Sequence, residues 1–222
     1  MLEERMVDLK RELTEYAGFV QAMIQKSVHG LLARDGAALS RVVNEDEPSA
    51  NDREISLDEL CISTIAQFEP RAKDLRSVLM TLQMTKDLER MADHAVNIAE
   101  HGLYLVDRPE VKPLIDIPAM VAEVTAMVRD SLAAFVKEDV GLAKDVCGRD
   151  SVVDRLNGQV VRELIACMTA DPSTIERGLH LIDIAKNLER IADLTTNVGE
   201  DVIFMVQGRV IKHHKDEEVR RG

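Results

Sequence analysis

The sequence predicts an all-α protein built from two tandem antiparallel three-helix bundles, and three observations carry that prediction. A fifteen-residue segment occurs twice. Lys86-Asp87-Leu88-Glu89-Arg90-Met91-Ala92-Asp93-His94-Ala95-Val96-Asn97-Ile98-Ala99-Glu100 returns one hundred positions later as Lys186-Asn187-Leu188-Glu189-Arg190-Ile191-Ala192-Asp193-Leu194-Thr195-Thr196-Asn197-Val198-Gly199-Glu200, with eight of fifteen positions identical. The likeness spreads outward from there. Residues 67–70 correspond to 169–172, each a proline-marked break, and 27–43 run parallel to 131–147. A period of about a hundred residues is too long for a short solenoid repeat, so the chain divides into two similar units, 1–108 and 109–222. The composition completes the case: 45% apolar, 31% charged, ten Met, 3% aromatic and no Trp is an aliphatic, helix-rich profile without hairpin signals.

Prolines and turn residues cut the chain into three helices per half. The first is expected from about Leu2 to Arg34, closed by Asp35-Gly36. The second runs from about Ala37 to Phe68, with a kink or break at Glu47-Pro48-Ser49 because proline removes a helical donor. The third extends from about Arg71 to Val106, and the second half repeats the scheme over Pro118 to Lys137, Val140 to Thr169 and Ser173 to Gln207. Helices of about 33 residues measure about 50 Å, a length suited to antiparallel bundles with short loops. The buried stripe of the motif helices reads as Met84, Leu88, Met91, Ala95, Ile98 and Leu105, and as Ile184, Leu188, Ile191, Val198, Val202 and Met205.

Net charge is −12, which opposes binding to a phosphate backbone, and the basic residues from Arg209 to Arg221 are interrupted by acids as in a solvated tail. No apolar run is long enough to span a membrane, and the N-terminus has no signal core, so the expected location is the cytoplasm. Cys61, Cys147 and Cys167 lack metal or redox spacing and read as buried reduced thiols.

Most residues retained by the repeat are polar, which directs attention to chemistry. Placed at about 100° per residue, Glu89, Asp93, Asn97 and Glu100 fall within a sector roughly 80° wide, as do Glu189, Asp193, Asn197 and Glu200. A solvated helix face usually alternates acid with base at the fourth position, whereas these rows carry oxygen alone. Such a row needs a positive partner: either a hard cation such as Mg, Ca, Mn or iron, or an Arg or Lys from an adjacent helix. A second acidic row, Asp150 and Asp154, is available to face the first; in the other half Asp46 aligns with Asp150, but Ala50 stands in the place of Asp154, with Asn51 beside it. On that alignment the first half is expected to hold metal less tightly.

With these residues in view, the chain resembles the PhoU family of phosphate-signalling regulators over nearly its full length. Their signature, Glu/Asp-x-x-x-Asp in each of two three-helix repeats, stands here as Glu89 to Asp93 and Glu189 to Asp193, with Asp74-Leu75-Arg76 and Met205-Val206-Gln207-Gly208-Arg209 leading to His213 as further matches. The resemblance implies two bundles related by a pseudo-two-fold axis, no enzymatic activity, and multinuclear iron or zinc clusters on the acidic motifs, with Mg, Mn or Ni as alternatives. Carried over by position, the implied ligands are Glu89, Asp93, Asn97 and Asp46, and Glu189, Asp193, Asn197, Asp150 and Asp154. Departures from the family pattern are Pro48 and Ala50, and Ala92 and Ala192 where many members carry Gly. The implied role is negative control of the phosphate-starvation response, relayed from the ATPase subunit of the phosphate ABC transporter to a sensor histidine kinase. A homodimer, peripheral to the inner membrane through its partners, completes the expectation.

Two other classes compete. A di-iron carboxylate oxidase needs inward-facing Glu-x-x-His pairs, and no His here has Glu three residues before it. A metal-holding or assembly protein without a signalling role shares the acidic rows. Catalytic readings find no phosphate-binding Gly-rich loop and no zinc-protease motif. His94, which has no counterpart in the second copy, reads as a surface residue rather than a ligand.

Overall fold

The computed structural model describes residues 1–111 and 116–208; the basic tail from Arg209 onward, including His213, lies outside the described residues. The chain forms α1 (Leu2–Ala33), α2 (Gly36–Arg41), a π-helical turn (Val42–Asp46), α3 (Glu47–Phe68), α4 (Ala72–Val106), α5 (Asp116–Lys137), α6 (Val140–Ala170), a 3-10 turn (Pro172–Thr174) and α7 (Ile175–Gln207). Among the described residues there is no strand. α1, α2–α3 and α4 make the first bundle, and α5, α6 and α7 make the second.

Repetition reaches the helix ends. Asp35 caps α2 by accepting from the Ala38 N–H at 2.9 Å, and Asp139 caps α6 by accepting from the Leu142 N–H at 3.1 Å. The residue just before each cap, Arg34 and Glu138, reverses the chain in the left-handed region with φ 55° in both. α5 begins at Asp116 rather than Pro118, so the proline sits in its first turn, where a missing N–H leaves no helical bond unmade.

Pro48 does not break its helix. Instead, the five residues before it widen to π-helical pitch, and the Glu47 N–H reaches back to the Val42 carbonyl. Pro48 then occupies the first turn of α3, and the Ser49 hydroxyl donates to the Glu45 carbonyl at 2.9 Å. A π-bulge is one extra residue inserted into a continuous helix. The repeat offset is accordingly 104 at the buried pair Val42 and Val146, and 103 at the buried pairs Ala50 and Val153, Leu57 and Val160, and Cys61 and Leu164. The alignment of Ala50 with Asp154 is therefore corrected: Ala50 is a fully buried core residue, Glu47 is the equivalent of Asp150, and Asn51 is the equivalent of Asp154.

The two bundles join through α4 against α7 and α1 against α5, leaving α3 and α6 on the outer flanks. Every apolar stripe residue anticipated on α4 and α7 is buried. At one edge of this stripe the halves exchange polar contacts. Asn97 donates to the Asn187 Oδ1 at 3.3 Å, and His94 Nδ1 lies 2.8 Å from the same oxygen. The reciprocal contact joins Asn197 to Asp87, whose carboxyl is 1% exposed. Burial raises Asp87 to about pKa 6, against the opposing influence of Arg90 and the Asn197 amide. Further along, His101 and His180 meet through their Nδ1 atoms at 2.8 Å, with Tyr104 stacked on His180 at 3.8 Å between ring centres. Between α1 and α5, Glu138 receives Lys10 at 2.9 Å and Lys73 at 2.5 Å, and the two lysines hold its carboxyl below the ordinary range.

The three cysteines are free, with Cys61 fully buried and Cys147 and Cys167 half-buried. Burial pushes the Cys61 thiol up to about 12 and the Cys147 thiol up to about 11. Cys147 also marks a close approach of α6 to α7: a Cβ on Gly199 would stand 2.8 Å from its Sγ and 3.1 Å from the Ala143 carbonyl.

Two stability predictions follow from this packing. Gly18 faces open space on α1, so Gly18→Ala should raise Tm by about 2–4 °C through helix propensity alone. Gly199→Ala should lower Tm, because overpacking of about 1–3 kcal/mol exceeds a propensity gain of about 1 kcal/mol; equal shifts for the two variants would contradict the packing assigned to Gly199. The second concerns Asp87, whose folded pKa is raised, so its stabilising contribution is complete only below its unfolded value near 3.8 and is lost as pH rises through about 6. Asp87→Asn, which installs the residue found at position 187, should melt above wild type at pH 7.5 and lose that advantage by about pH 4. Thermal melts across this range provide the check, and a Tm difference independent of pH would contradict it.

Candidate functional site: two acidic grooves

On each flank, an outer helix and a motif helix enclose a groove lined by carboxylates. In the first half α4 contributes Glu89 and Asp93, while α3 contributes Glu47, Asn51, Glu54 and Asp58, which recur at helical spacing on one side. Burial raises the Glu89 pKa, and the Asp93 and Glu54 carboxylates raise it further. Asp93 is raised by burial, opposed by His94 and reinforced by Glu47. The Asn51 amide donates to Glu47 Oε1 at 3.3 Å. At the inner end of the row, Lys86 Nζ lies 3.3 Å from Asp58 Oδ2 and 3.8 Å from Glu54 Oε1.

The second groove is its counterpart. Burial raises Glu189, followed by the charge of Asp193 and those of Asp154 and Asp150 across from it on α6, while Arg190 opposes the shift. Arg190 belongs to the row's own helix, with Nη1 2.9 Å from Asp193 Oδ2 and Nε 3.6 Å from Glu189 Oε2. In the first half the equivalent Arg90 turns instead to the seam carboxylate Asp87 at 3.5 Å. Each row therefore meets some basic charge, but Glu89, Asp93 and Glu189 all keep upward shifts, the mark of carboxylates crowded by burial and like charge.

The structure brings together Glu89 and Asp93, and Glu189 and Asp193 with Asp150 and Asp154. It places the other three anticipated residues elsewhere. Asp46, within the π-turn, pairs with Lys26 of α1 at 2.5 Å, and Glu47 holds the groove position. Asn97 and Asn197 bond across the seam to Asn187 and Asp87. Glu47 was missed because the one-residue bulge displaced the alignment, and Glu54 because its counterpart in the second half is Asn157. The signal was nonetheless present in the row Glu47, Asn51, Glu54 and Asp58, spaced by four, three and four residues.

The donor set is entirely oxygen, the chemistry of a hard cation. Among the described residues no three His, Cys, Asp or Glu side chains converge on one point, so these are open rows rather than closed cages. Tyr16 of α1 is 1% exposed, its hydroxyl has no hydrogen-bond partner, and it lines a cavity between α1 and α3 together with Glu12, Asp52 and Arg53. The residue types are those that hard cations take, and among the described residues they stand apart rather than in one cluster. Among the described residues no helix is long and apolar enough to cross a membrane.

The PhoU domain family matches this chain twice, over residues 13–101 and 117–202. The phosphate-specific transport system accessory protein PhoU homolog of Aquifex aeolicus is 35% identical over 217 residues, covering 98% of each chain. The PhoU homolog 2 of Thermotoga maritima is 33% identical over 98% of this chain and 92% of its own length. Among solved structures, PhoU from Pseudomonas aeruginosa superposes with a TM-score of 0.90 at 30% identity, covering 94% of this chain and all of that one. The PhoU regulatory protein from Streptococcus pneumoniae, at 23% identity and a TM-score of 0.89, shares the fold. With both bundles matched and the relatives aligned from end to end, this chain belongs to the PhoU family.

Proposed function

We propose that this protein is a non-enzymatic accessory regulator of phosphate transport, which represses the phosphate-starvation response when phosphate is plentiful. In this reading it acts as a helical docking body between the ATPase subunit of the phosphate transporter and a sensor histidine kinase. The observation that carries the reading is the family match of both halves to relatives named as phosphate-transport accessory proteins.

Docking is supported by the surface. Ile62 and Ile165, and Leu79 and Leu179, are large apolar residues exposed at equivalent positions of the two halves. Ile62 lies four residues from Asp58 and eight from Glu54, on the same side of α3, so the first acidic groove continues into an apolar step. A partner helix carrying basic and apolar residues would match that sequence of charges and methyl groups.

We further propose that the grooves hold iron or zinc, at Glu47, Glu54, Glu89 and Asp93 and at Asp150, Asp154, Glu189 and Asp193. The bound ions would neutralise carboxylates whose pKa values are already raised, and would present positive charge where bare rows repel phosphate. The correction of the helix register removes the ground for expecting a weaker first site, since Glu47 and Glu54 both act on its carboxylates.

One complementation experiment tests both proposals. A host lacking the gene should express its phosphate-responsive genes at high phosphate, and the wild-type chain should restore repression. Metal analysis of the purified proteins should show that Glu89→Gln with Asp93→Asn removes about as much metal as Glu189→Gln with Asp193→Asn. Repression unchanged by deletion would overturn the regulatory role. Metal-free wild type after purification in the presence of iron and zinc would overturn the metal sites alone.

A further inference from the structure

We propose that His101 and His180 form a proton-operated clasp between the two halves, closed while the rings share a hydrogen bond and opened when both are charged, so that acid loosens one end of the α4–α7 joint. The clasp involves neither acidic groove. His101 and Tyr104 stand three residues apart on α4 and so face the same way. Together they hold His180 of α7. The Nδ1 atoms of the two histidines are 2.8 Å apart, with ring centres at 5.0 Å and planes at 67°, while Tyr104 stacks on His180 at 3.8 Å and 13°. The Arg108 guanidinium lies 3.5 Å from the centre of the Tyr104 ring and therefore covers its other face.

Two Nδ1 atoms at this distance need a proton on one and a lone pair on the other. The surroundings decide which ring is which. His101 Nε2 faces the Asp183 carboxylate at 4.0 Å, whereas His180 rests on a tyrosine already shared with a guanidinium, which opposes positive charge there. A first added proton therefore goes to His101 Nε2, and the Nδ1–H of that ring becomes a charged and stronger donor to His180. A second proton has one place to go, the Nδ1 lone pair of His180. It removes the acceptor, breaks the bond and sets two imidazolium rings against each other.

The charged groups around the pair are Asp183 and Glu176 of α7 and Arg108 beyond α4, with Tyr104 as the remaining titratable group. Burial lowers the His180 pKa, and His101 and Arg108 lower it further against the pull of Asp183 and Glu176. With the folded pKa below the unfolded value of 6.5, this contribution to stability is complete above 6.5 and is lost as pH falls through the folded value. Asp87 titrates with the opposite sign and stands fourteen residues before His101, about 21 Å by helical rise, so the two effects separate by direction and by place. The repeat confines the clasp to one end of the joint. An offset of 100 puts Met80 and Asp201 in the corresponding positions at the opposite end, where no two rings can share a proton.

Ring-nitrogen NMR of the full-length protein, with the six histidines assigned by single substitutions, should find one ring of the pair protonated at Nδ1 at pH 7.5 and His180 titrating below 6.5. His101→Gln should move that titration upward, and Asp183→Asn should move it downward. Amide hydrogen exchange, corrected for its intrinsic pH dependence, reads the opening itself. On acidification from pH 7.5 to 4.5, wild type should lose protection across 98–106 and 177–184 and keep it across 87–94. His180→Gln, whose amide keeps a hydrogen-bonding group but takes no proton, should hold its protection over the same range, and His101→Gln should lose less than wild type. Titration of His180 at or above 6.5, two charged rings with protection intact, a loss spread evenly along both helices, or a loss that persists in His180→Gln would each overturn the clasp.

Discussion

The back-to-back packing of α4 against α7 is the contact on which the rest of the molecule depends. Two helices of nearly the same sequence face each other across a pseudo-two-fold axis, so each must present three different surfaces at once. The centre is apolar and fills the core. One edge carries Asn97 or Asn197 to the other half, where Asn187 or Asp87 receives it. The other edge turns Glu89 and Asp93, or Glu189 and Asp193, toward the flanking helix. Both the Asn and the carboxylates are retained in each copy, for different physical reasons: the amide joins the halves, and the acids line the grooves.

Much of this was legible in the chain itself. The fold class, the helices and the buried stripes follow from apolar periodicity and from the prolines, because burial constrains residue type strongly and locally. The division of polar labour was not legible. Glu89, Asp93 and Asn97 share one sector of a helical wheel, and no local signal distinguishes an edge facing the partner bundle from an edge facing α3. Nor does a sequence announce a π-bulge. Proline at 48 signalled a disturbance, but its form was an inserted residue rather than a break, and that single residue moved Ala50 into the core and Glu47 into the groove. Only buried positions on both sides of the bulge, Val42 before it and Ala50, Leu57 and Cys61 after it, reveal the change of offset.

Electrostatically the molecule keeps two kinds of carboxylate. Glu138 and Asp130 are held below the ordinary range by lysine and arginine partners and tie elements together. Glu89, Asp93, Glu189 and the seam residue Asp87 are raised by burial, and so are retained at a cost to the bare fold. For Asp87 the cost falls on the joint between the halves. For the groove residues, a cation bound there as proposed would offset it and would couple ion occupancy to the stability of the flanks. The flanks also expose apolar residues at equivalent positions of the two halves, Ile62 and Ile165, and Leu79 and Leu179.

The central claim is that the π-bulge sets the register that builds two equivalent carboxylate grooves. Anomalous diffraction from crystals loaded with zinc tests it most directly. The account predicts density over Glu47, Glu89 and Asp93 in one half and over Asp150, Glu189 and Asp193 in the other, with Asp46 still paired to Lys26. Ions held by Asp46 with Asn97, or density in the second half alone, would contradict it.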